Sequence, residues 1–279
     1  MKFSKMHGAG NDYVFIDGSG QSRDWPALAV AMSDRHRGVG GDGIILALPS
    51  DHADLRMSMF NADGSEGEMC GNGIRCLVGF AFENGIVPEG TSPVLVETPA
   101  GVKAVTPIWE DGHITGARVS MGEPSFAAAE IPVAAPGHEV VRDYPLAVDG
   151  HSFEISCVSM GNPHAVAFLD VPVDGMPLHE VGPLVEHHPM FPRRTNFEIV
   201  NVVDHGTLRV RVWERGSGLT MACGSGAAAA AVIARIHGFT GDEVAIAMPG
   251  GDLKVRWPGD GDVILEGPIE KVFDGEWRR

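Results

Sequence analysis

The second half of this 279-residue chain repeats the landmarks of the first in the same order. Gly8-Ala9-Gly10-Asn11-Asp12, followed by Tyr13-Val14-Phe15-Ile16-Asp17, is answered by Gly161-Asn162-Pro163-His164 and the apolar run to Asp170. Met69-Cys70-Gly71-Asn72-Gly73 is answered by Ala222-Cys223-Gly224-Ser225-Gly226, and Glu97-Thr98-Pro99-Ala100-Gly101 by Ala247-Met248-Pro249-Gly250-Gly251. Each pair is about 150 residues apart, far beyond the roughly 20–50-residue period of a solenoid. The repeat therefore reads as duplication of a whole domain, and the chain is long enough for two.

Both cysteines lead into apolar, helix-like segments, Ile74 to Phe82 and Ala227 to Ala234. A helix without a polar face is a buried helix, so each half is predicted to be a set of strands around one central helix. Strands are predicted over 43–48, 55–61, 94–98 and 101–108, then over 139–148, 151–159, 197–204 and 207–213. His205-Gly206 is read as a tight turn joining the last two. A helix is expected over 25–36, capped by Ser22 or Asp24 with Pro26 in its first turn, and another within 174–188 from near Pro177. The Pro- and Ala-rich stretch 123–137 is read as the passage between halves.

Composition narrows the function. A net charge of −16 argues against a nucleic-acid surface. No run of 18 apolar residues crosses a membrane, and the opening Met1 to His7 leads into Gly, Asn and Asp, so no signal peptide is expected. Four cysteines are too few for a disulfide scaffold. The expectation is a cytoplasmic protein with reduced thiols.

A thiol at a helix N-terminus feels the positive end of the helix dipole, and the glycines after it leave amides bare for a carboxylate. Two such sites suggest a pair of acid–base thiols. Other readings fit less well. Gly38-Val39-Gly40-Gly41-Asp42-Gly43 matches a dinucleotide pattern, but a helix precedes it and a strand follows, so it reads as a glycine-rich turn. Scattered histidines and the absence of C-x-x-C argue against zinc. A cysteine hydrolase built from one thiol and His164 would leave the other thiol without a role. Cys76 and Cys157 read as small buried hydrophobes. Asn11, Asn61, Asn72, Asn162 and Asn196 individually suit Asx turns, and as a set they could line a pocket with the Glu214-Arg215 pair.

These motifs, together with Phe60-Asn61-Ala62-Asp63-Gly64-Ser65-Glu66, Arg194-Thr195-Asn196-Phe197 and Trp213-Glu214-Arg215-Gly216, make the chain similar to the diaminopimelate epimerase family over nearly its whole length. Proline racemases share the two-cysteine plan but not this set of asparagines with Glu-Arg-Gly. The resemblance implies an α/β (α+β) fold of two pseudo-symmetric domains, each a curled, mostly antiparallel sheet around a central helix. It implies domains at 1–118 plus 265–279 and at 119–264, the last strand near 263–273 rejoining the first, with the active site in the interdomain cleft. It also implies interconversion of LL- and meso-diaminopimelate in lysine and peptidoglycan precursor biosynthesis, with no cofactor and no metal. On this resemblance Cys70 and Cys223 are the catalytic base and acid. Asn11, Asn61, Asn162, Asn196, Glu214 and Arg215 hold the distal end of the substrate, Gly71, Asn72, Gly224 and Ser225 its reacting carboxylate, and His164 and Glu214 tune the thiols. The partners expected are the small-molecule substrate, with no nucleic acid and no membrane, and a homodimer is left open. Some members carry Gln where this chain has Gly43. A redox module cycling a Cys70–Cys223 disulfide, and a proline-racemase-like activity, are the alternatives.

Overall fold

The structure is a computed structural model that describes residues 1–67 and 70–278; Met69, which opens the first cysteine motif, lies outside the described residues. The chain forms two compact units, Met1–Ser120 with Glu266–Arg279, and Met121–Leu265.

In the first unit the strands are β1 (Lys2–Gly8), β2 (Asn11–Asp17), β3 (Gly43–Leu48), β4 (Leu55–Asn61), β5 (Glu66–Gly67), β6 (Val94–Thr98), β7 (Gly101–Glu110) and β8 (His113–Ser120). Its helices are α1 (Trp25–Ser33) and α2 (Gly71–Glu83). The second unit carries β9 (Tyr144–Val148), β10 (His151–Ser159), β11 (Pro163–Phe168), β12 (Asn196–Asp204), β13 (Thr207–Glu214), β14 (Gly218–Leu219), β15 (Glu243–Met248) and β16 (Gly251–Arg256). Its helices are α3 (Leu178–Glu186) and α4 (Gly224–Ile236). The chain closes with β17 (Ile264–Pro268), which spans the unit boundary, and β18 (Glu270–Glu276), which pairs antiparallel with β1.

The duplication seen in the sequence is also a duplication of topology. In the first unit β1–β2 is antiparallel, β2–β3 parallel, β3–β4 and β4–β5 antiparallel, β4–β6 parallel and β6–β7 antiparallel. In the second, β10 to β16 repeat that series pair for pair. The mixed, mostly antiparallel sheet curls because it has a helix to enclose: α2 packs on β1, β2, β3, β7 and β8, and α4 on six strands from β10 to β16. Residues Ala227 to Ala230 are fully buried, and their short side chains let the strands come close on every side.

The predicted β12–β13 hairpin is present, with Asp204 opposite Thr207 across the turn. Several boundaries differ from expectation. Helix α1 stops at Ser33 rather than His36, because the Asp34 carboxylate takes the His36 and Arg37 amides at 2.8 and 2.9 Å and turns the chain. Those bonds hold the Asp34 carboxyl below the usual carboxylate range. Strand β9 starts at Tyr144, not Glu139, since Asp143 takes a left-handed φ of 50°. The predicted strand over 263–273 is two strands, broken at Ile269, whose amide turns aside to the Thr115 carbonyl. The stretch 123–137 is not a passage: Ile131, Val133 and Ala135 are part of the second unit's core. Nor are both central helices wholly apolar, because α2 buries Asn72 and Arg75.

The glycine-rich turn at 38–43 ends α1. The amides of Gly38, Val39, Gly40 and Gly41 donate to the carbonyls of Asp34, Met32, Met32 and Ser33, satisfying the orphan acceptors of a helix C-terminus. With these amides turned to protein carbonyls, the turn does not present the donor cradle that a phosphate needs.

Candidate active site

Cys70 and Cys223 are the N-caps of α2 and α4, with nearly identical backbone angles (φ −127°, ψ 119° and φ −126°, ψ 117°). An N-cap side chain normally offers oxygen to the helix; here sulfur accepts from Gly73 N at 3.3 Å and from Gly226 N at 3.4 Å. The fourth amide of each turn, Ile74 or Ala227, goes to the cap's own carbonyl. The first two amides of the helices belong to Gly71 and Asn72, and to Gly224 and Ser225. Glycine is required at the third position: a Cβ on Gly226 would stand 2.9 Å from Glu198 Oε1 and 3.5 Å from Cys223 Sγ.

In the first unit the Cys70 thiol donates to Asn11 Oδ1 at 3.1 Å. Asn11 is held from behind, its Nδ2 donating to Asp42 Oδ2 at 2.6 Å, and Asp42 and Asp12 are tied in turn to Arg35. Lys5 bonds Asp12 and the Gly40 carbonyl. The Tyr13 hydroxyl lies against Cys70 and Asn11; burial, reinforced by Cys70, pushes it well above its ordinary value. Asn72 Nδ2 also reaches Asn11 Oδ1, at 3.4 Å. Asn61 sits on β4 with its amide on Ser65 Oγ at 3.0 Å.

In the second unit His164 and Glu198 are both fully buried and joined at 2.7 Å. The other ring nitrogen of His164 meets Asn162 Oδ1 at 2.9 Å. Asn162 Nδ2 donates to Ser225 Oγ at 3.3 Å, and that hydroxyl lies 3.5 Å from Cys223 Sγ. A relay thus runs from the buried pair to the thiol. Burial drives the Cys223 thiol well up, with Glu214 and then Glu198 adding to it. Burial also raises the Glu198 carboxyl, against the pull of His164. Glu214 accepts from Thr220 Oγ1 at 2.5 Å. Asn196 is buried and both ends of its amide meet backbone, Pro163 O at 2.8 Å and Arg215 N at 2.9 Å. The Arg215 side chain is exposed, and its Nη1 donates to the Arg193 carbonyl at 3.5 Å.

The structure thus gathers Asn11, Cys70, Gly71 and Asn72 in one unit, and Asn162, His164, Glu214, Cys223, Gly224 and Ser225 in the other. Asn61 rests its amide on Ser65, and Asn196 acts on the Arg215 backbone rather than presenting its amide outward. Three residues were missed by the sequence reading. Tyr13 follows Asn11, and Glu198 follows Asn196, by two positions, so each pair shares a face of its strand; that period, and the match of Tyr13 to His164 in the duplication, were the available signals. Glu186 accepts from Trp213 Nε1 at 2.7 Å and Gly216 N at 3.0 Å, bracing the turn that carries Arg215. Gly43 pairs with Tyr13 as Asn196 pairs with His164, so it occupies the duplicate position of Asn196. A Cβ there would fall 2.2 Å from the Phe60 carbonyl oxygen, which leaves no room for a side chain on this backbone.

Cys76 and Cys157 are buried thiols; burial lifts Cys76 to about 12 and Cys157 higher. No cluster of three or more metal-ligating side chains occurs among the described residues. No helix among them is long and apolar enough to cross a membrane.

The family model described as "Diaminopimelate epimerase" matches residues 3–127 and 156–272. The chain is 48% identical over 280 residues to the diaminopimelate epimerase of Moorella thermoacetica, covering 99% of each. It is 45% identical over 278 residues to that of Acetivibrio thermocellus, covering 99% of this chain and 98% of the relative. Among solved structures, a phenazine biosynthesis protein of the PhzF family from Bacillus anthracis superposes with a TM-score of 0.72 at 16% identity, covering 100% of this chain and 99% of that one, a likeness of fold. Near-full-length identity of this order, spanning both cysteine-capped helices, means that the chain belongs to the diaminopimelate epimerase family.

Proposed function

We propose that this chain interconverts LL- and meso-diaminopimelate, in the biosynthesis of lysine and peptidoglycan precursors, by a two-base mechanism in which Cys70 and Cys223 serve opposite faces of one α-carbon. The observation that carries this reading is the pair of matched thiol-capped helices, one in each duplicated unit, within a chain of this family. Inversion requires removing a proton on one side and returning one on the other. The planar carbanion between these steps looks alike from both faces, and a duplicated scaffold supplies one acid–base group to each.

On a cofactor-independent route, electrostatics must stabilise the carbanion. The reacting carboxylate is assigned to the first amides of the two helices, at Gly71 and Asn72 and at Gly224 and Ser225, where the helix dipoles favour an anion. One sulfur begins as thiolate and the other as thiol, and they exchange these states in each turnover. His164 is assigned to act on Cys223 through Asn162 and Ser225, and Glu214 by its charge. The distal end falls to Arg215, whose exposed guanidinium can grip a carboxylate by two bonds, and to Glu214 for the ammonium. Asn11, Asn61 and Asn162 complete the polar lining. Asn196 contributes by holding the Arg215 backbone.

Incubation with LL-diaminopimelate in D₂O tests the assignment. Deuterium should enter one α-carbon as the meso form accumulates. No exchange would reject it; exchange of proline instead would favour the racemase-like alternative.

A further inference from the structure

Glu186 is the last residue of α3, and its side chain is almost wholly buried. Neither setting suits a carboxylate, because the last turn is the negative end of the helix dipole and burial strips away hydration. Its contacts account for the placement. Oε2 accepts from Trp213 Nε1 at 2.7 Å and Oε1 from Gly216 N at 3.0 Å, with Arg194 Nη1 3.6 Å away. Two N–H donors thus converge on one group, and a carboxylate offers each an acceptor, whereas the isosteric amide has one oxygen and one NH₂. The Trp213 ring is also fixed by shape: a Cβ on Gly182, one turn earlier on the same face of α3, would fall 2.4 Å from it.

Beyond Trp213 the chain turns. Arg215 N is held by Asn196 Oδ1 at 2.9 Å, Gly216 N by Glu186, and Ser217 N by the Glu214 carbonyl at 3.1 Å, so successive amides of the turn are pinned. The duplicate turn in the first unit is built otherwise. Phe60 pairs with Ile44 as Trp213 pairs with Phe197, which makes Phe60 the counterpart of Trp213 and Ala62 that of Arg215. Phe60 has no ring N–H to offer. Helix α1, which lies between β2 and β3 as α3 lies between β11 and β12, ends in Ser33. Of the two turns, the one that carries an arginine is the one clamped by a buried carboxylate.

We propose that Glu186 is a positioning residue for recognition of the substrate's distal end: by accepting from the Trp213 indole and the Gly216 amide together, it sets the turn on which Arg215 stands. This rests on the reading of Arg215 above. A distal contact is made alike in the bound substrate and in the transition state, so loosening its support raises KM and spares kcat.

The test compares the full chain with Glu186→Gln, Trp213→Phe and the double variant, using LL-diaminopimelate. Glu186→Gln, in which an NH₂ must face an N–H, should raise KM about tenfold and alter kcat by less than about threefold. With Trp213→Phe already in place the amide oxygen is free to serve Gly216, and the same substitution should raise KM by less than about threefold. Unchanged KM in folded Glu186→Gln overturns the proposal, and so does an equal rise with and without the indole, which would make the effect one of packing. Amide hydrogen exchange at residues 214–218, measured without substrate, should quicken in Glu186→Gln, and an unaltered rate also overturns it. Thermal unfolding checks that each variant is folded; if Glu186→Gln is not, Glu186→Asp, its oxygens drawn back by one carbon, replaces it for KM and amide exchange. Turnover by the unsubstituted chain reports separately on the epimerase reading, so the two can fail independently.

Discussion

Replacing Glu198 by Gln keeps the shape of a fully buried side chain and removes one charge from behind Cys223. The geometry bounds the distance involved. A point 2.9 Å from Glu198 Oε1 lies 3.5 Å from Cys223 Sγ, so the two atoms are within about 6 Å of each other. At an effective dielectric of about 20, a carboxylate and a thiolate at that separation repel by about 2.8 kcal/mol, equivalent to about two pH units. His164, bonded to the same carboxylate at 2.7 Å, opposes part of this, so the expected fall in the Cys223 midpoint is about one unit. Alkylation of Cys223 against pH, with Cys70→Ser as background, reads it directly. A second consequence appears in stability. Burial raises the Glu198 carboxyl above 4.5, so its contribution is fully present below pH 4.5 and is lost as the pH climbs through the folded value. Glu198→Gln lacks that loss. The Tm difference, variant minus parent, should therefore move in the variant's favour between acid and neutral pH. A Cys223 midpoint that stays put or rises, or a Tm difference that moves the other way, would refute the electrostatic account of this thiol.

Cys70→Ala and Cys223→Ala should each abolish epimerisation while leaving Tm within about 2 °C, since both caps keep their backbone geometry and the sulfur bonds they lose are weak; near-normal turnover in either would remove the two-base mechanism. Arg215→Ala should raise KM for diaminopimelate at least about tenfold, the loss of a charge-assisted bidentate contact, with Cys223 alkylation unchanged; normal binding would move the distal pocket elsewhere. Gly43→Ala should destabilise the chain by about 1–3 kcal/mol, because its Cβ overlaps a backbone carbonyl that cannot swing aside; chemical denaturation with an unchanged Cm would show that β3 and β4 can part at no cost.

The sequence by itself determined the duplication, the two cysteine sites and the helices that start from them, because these rest on local chemistry. A cysteine before Gly-x-Gly and an apolar run specifies a capped, buried helix whatever surrounds it, and the repeat needs only comparison of the chain with itself. It also determined the β12–β13 hairpin, whose pairing is set by two residues of turn. Boundaries were lost where a side chain acts on backbone beyond its own element: Asp34 ends α1 by taking two amides ahead of it, and 123–137 looks like a linker until Ile131 and Val133 enter a core formed by distant strands. The character of the two thiols was decided only by tertiary structure. Tyr13 is an ordinary strand residue until the fold sets its hydroxyl on Cys70, and Glu198 an ordinary strand residue until parallel pairing of β11 and β12 sets it on His164. Charge acts through space and with the local dielectric, neither of which is written along the chain. Two copies of one motif therefore carry different neighbours, Asn11 and Tyr13 at Cys70 and Ser225, Glu214 and Glu198 at Cys223, a difference that the matching motifs do not disclose.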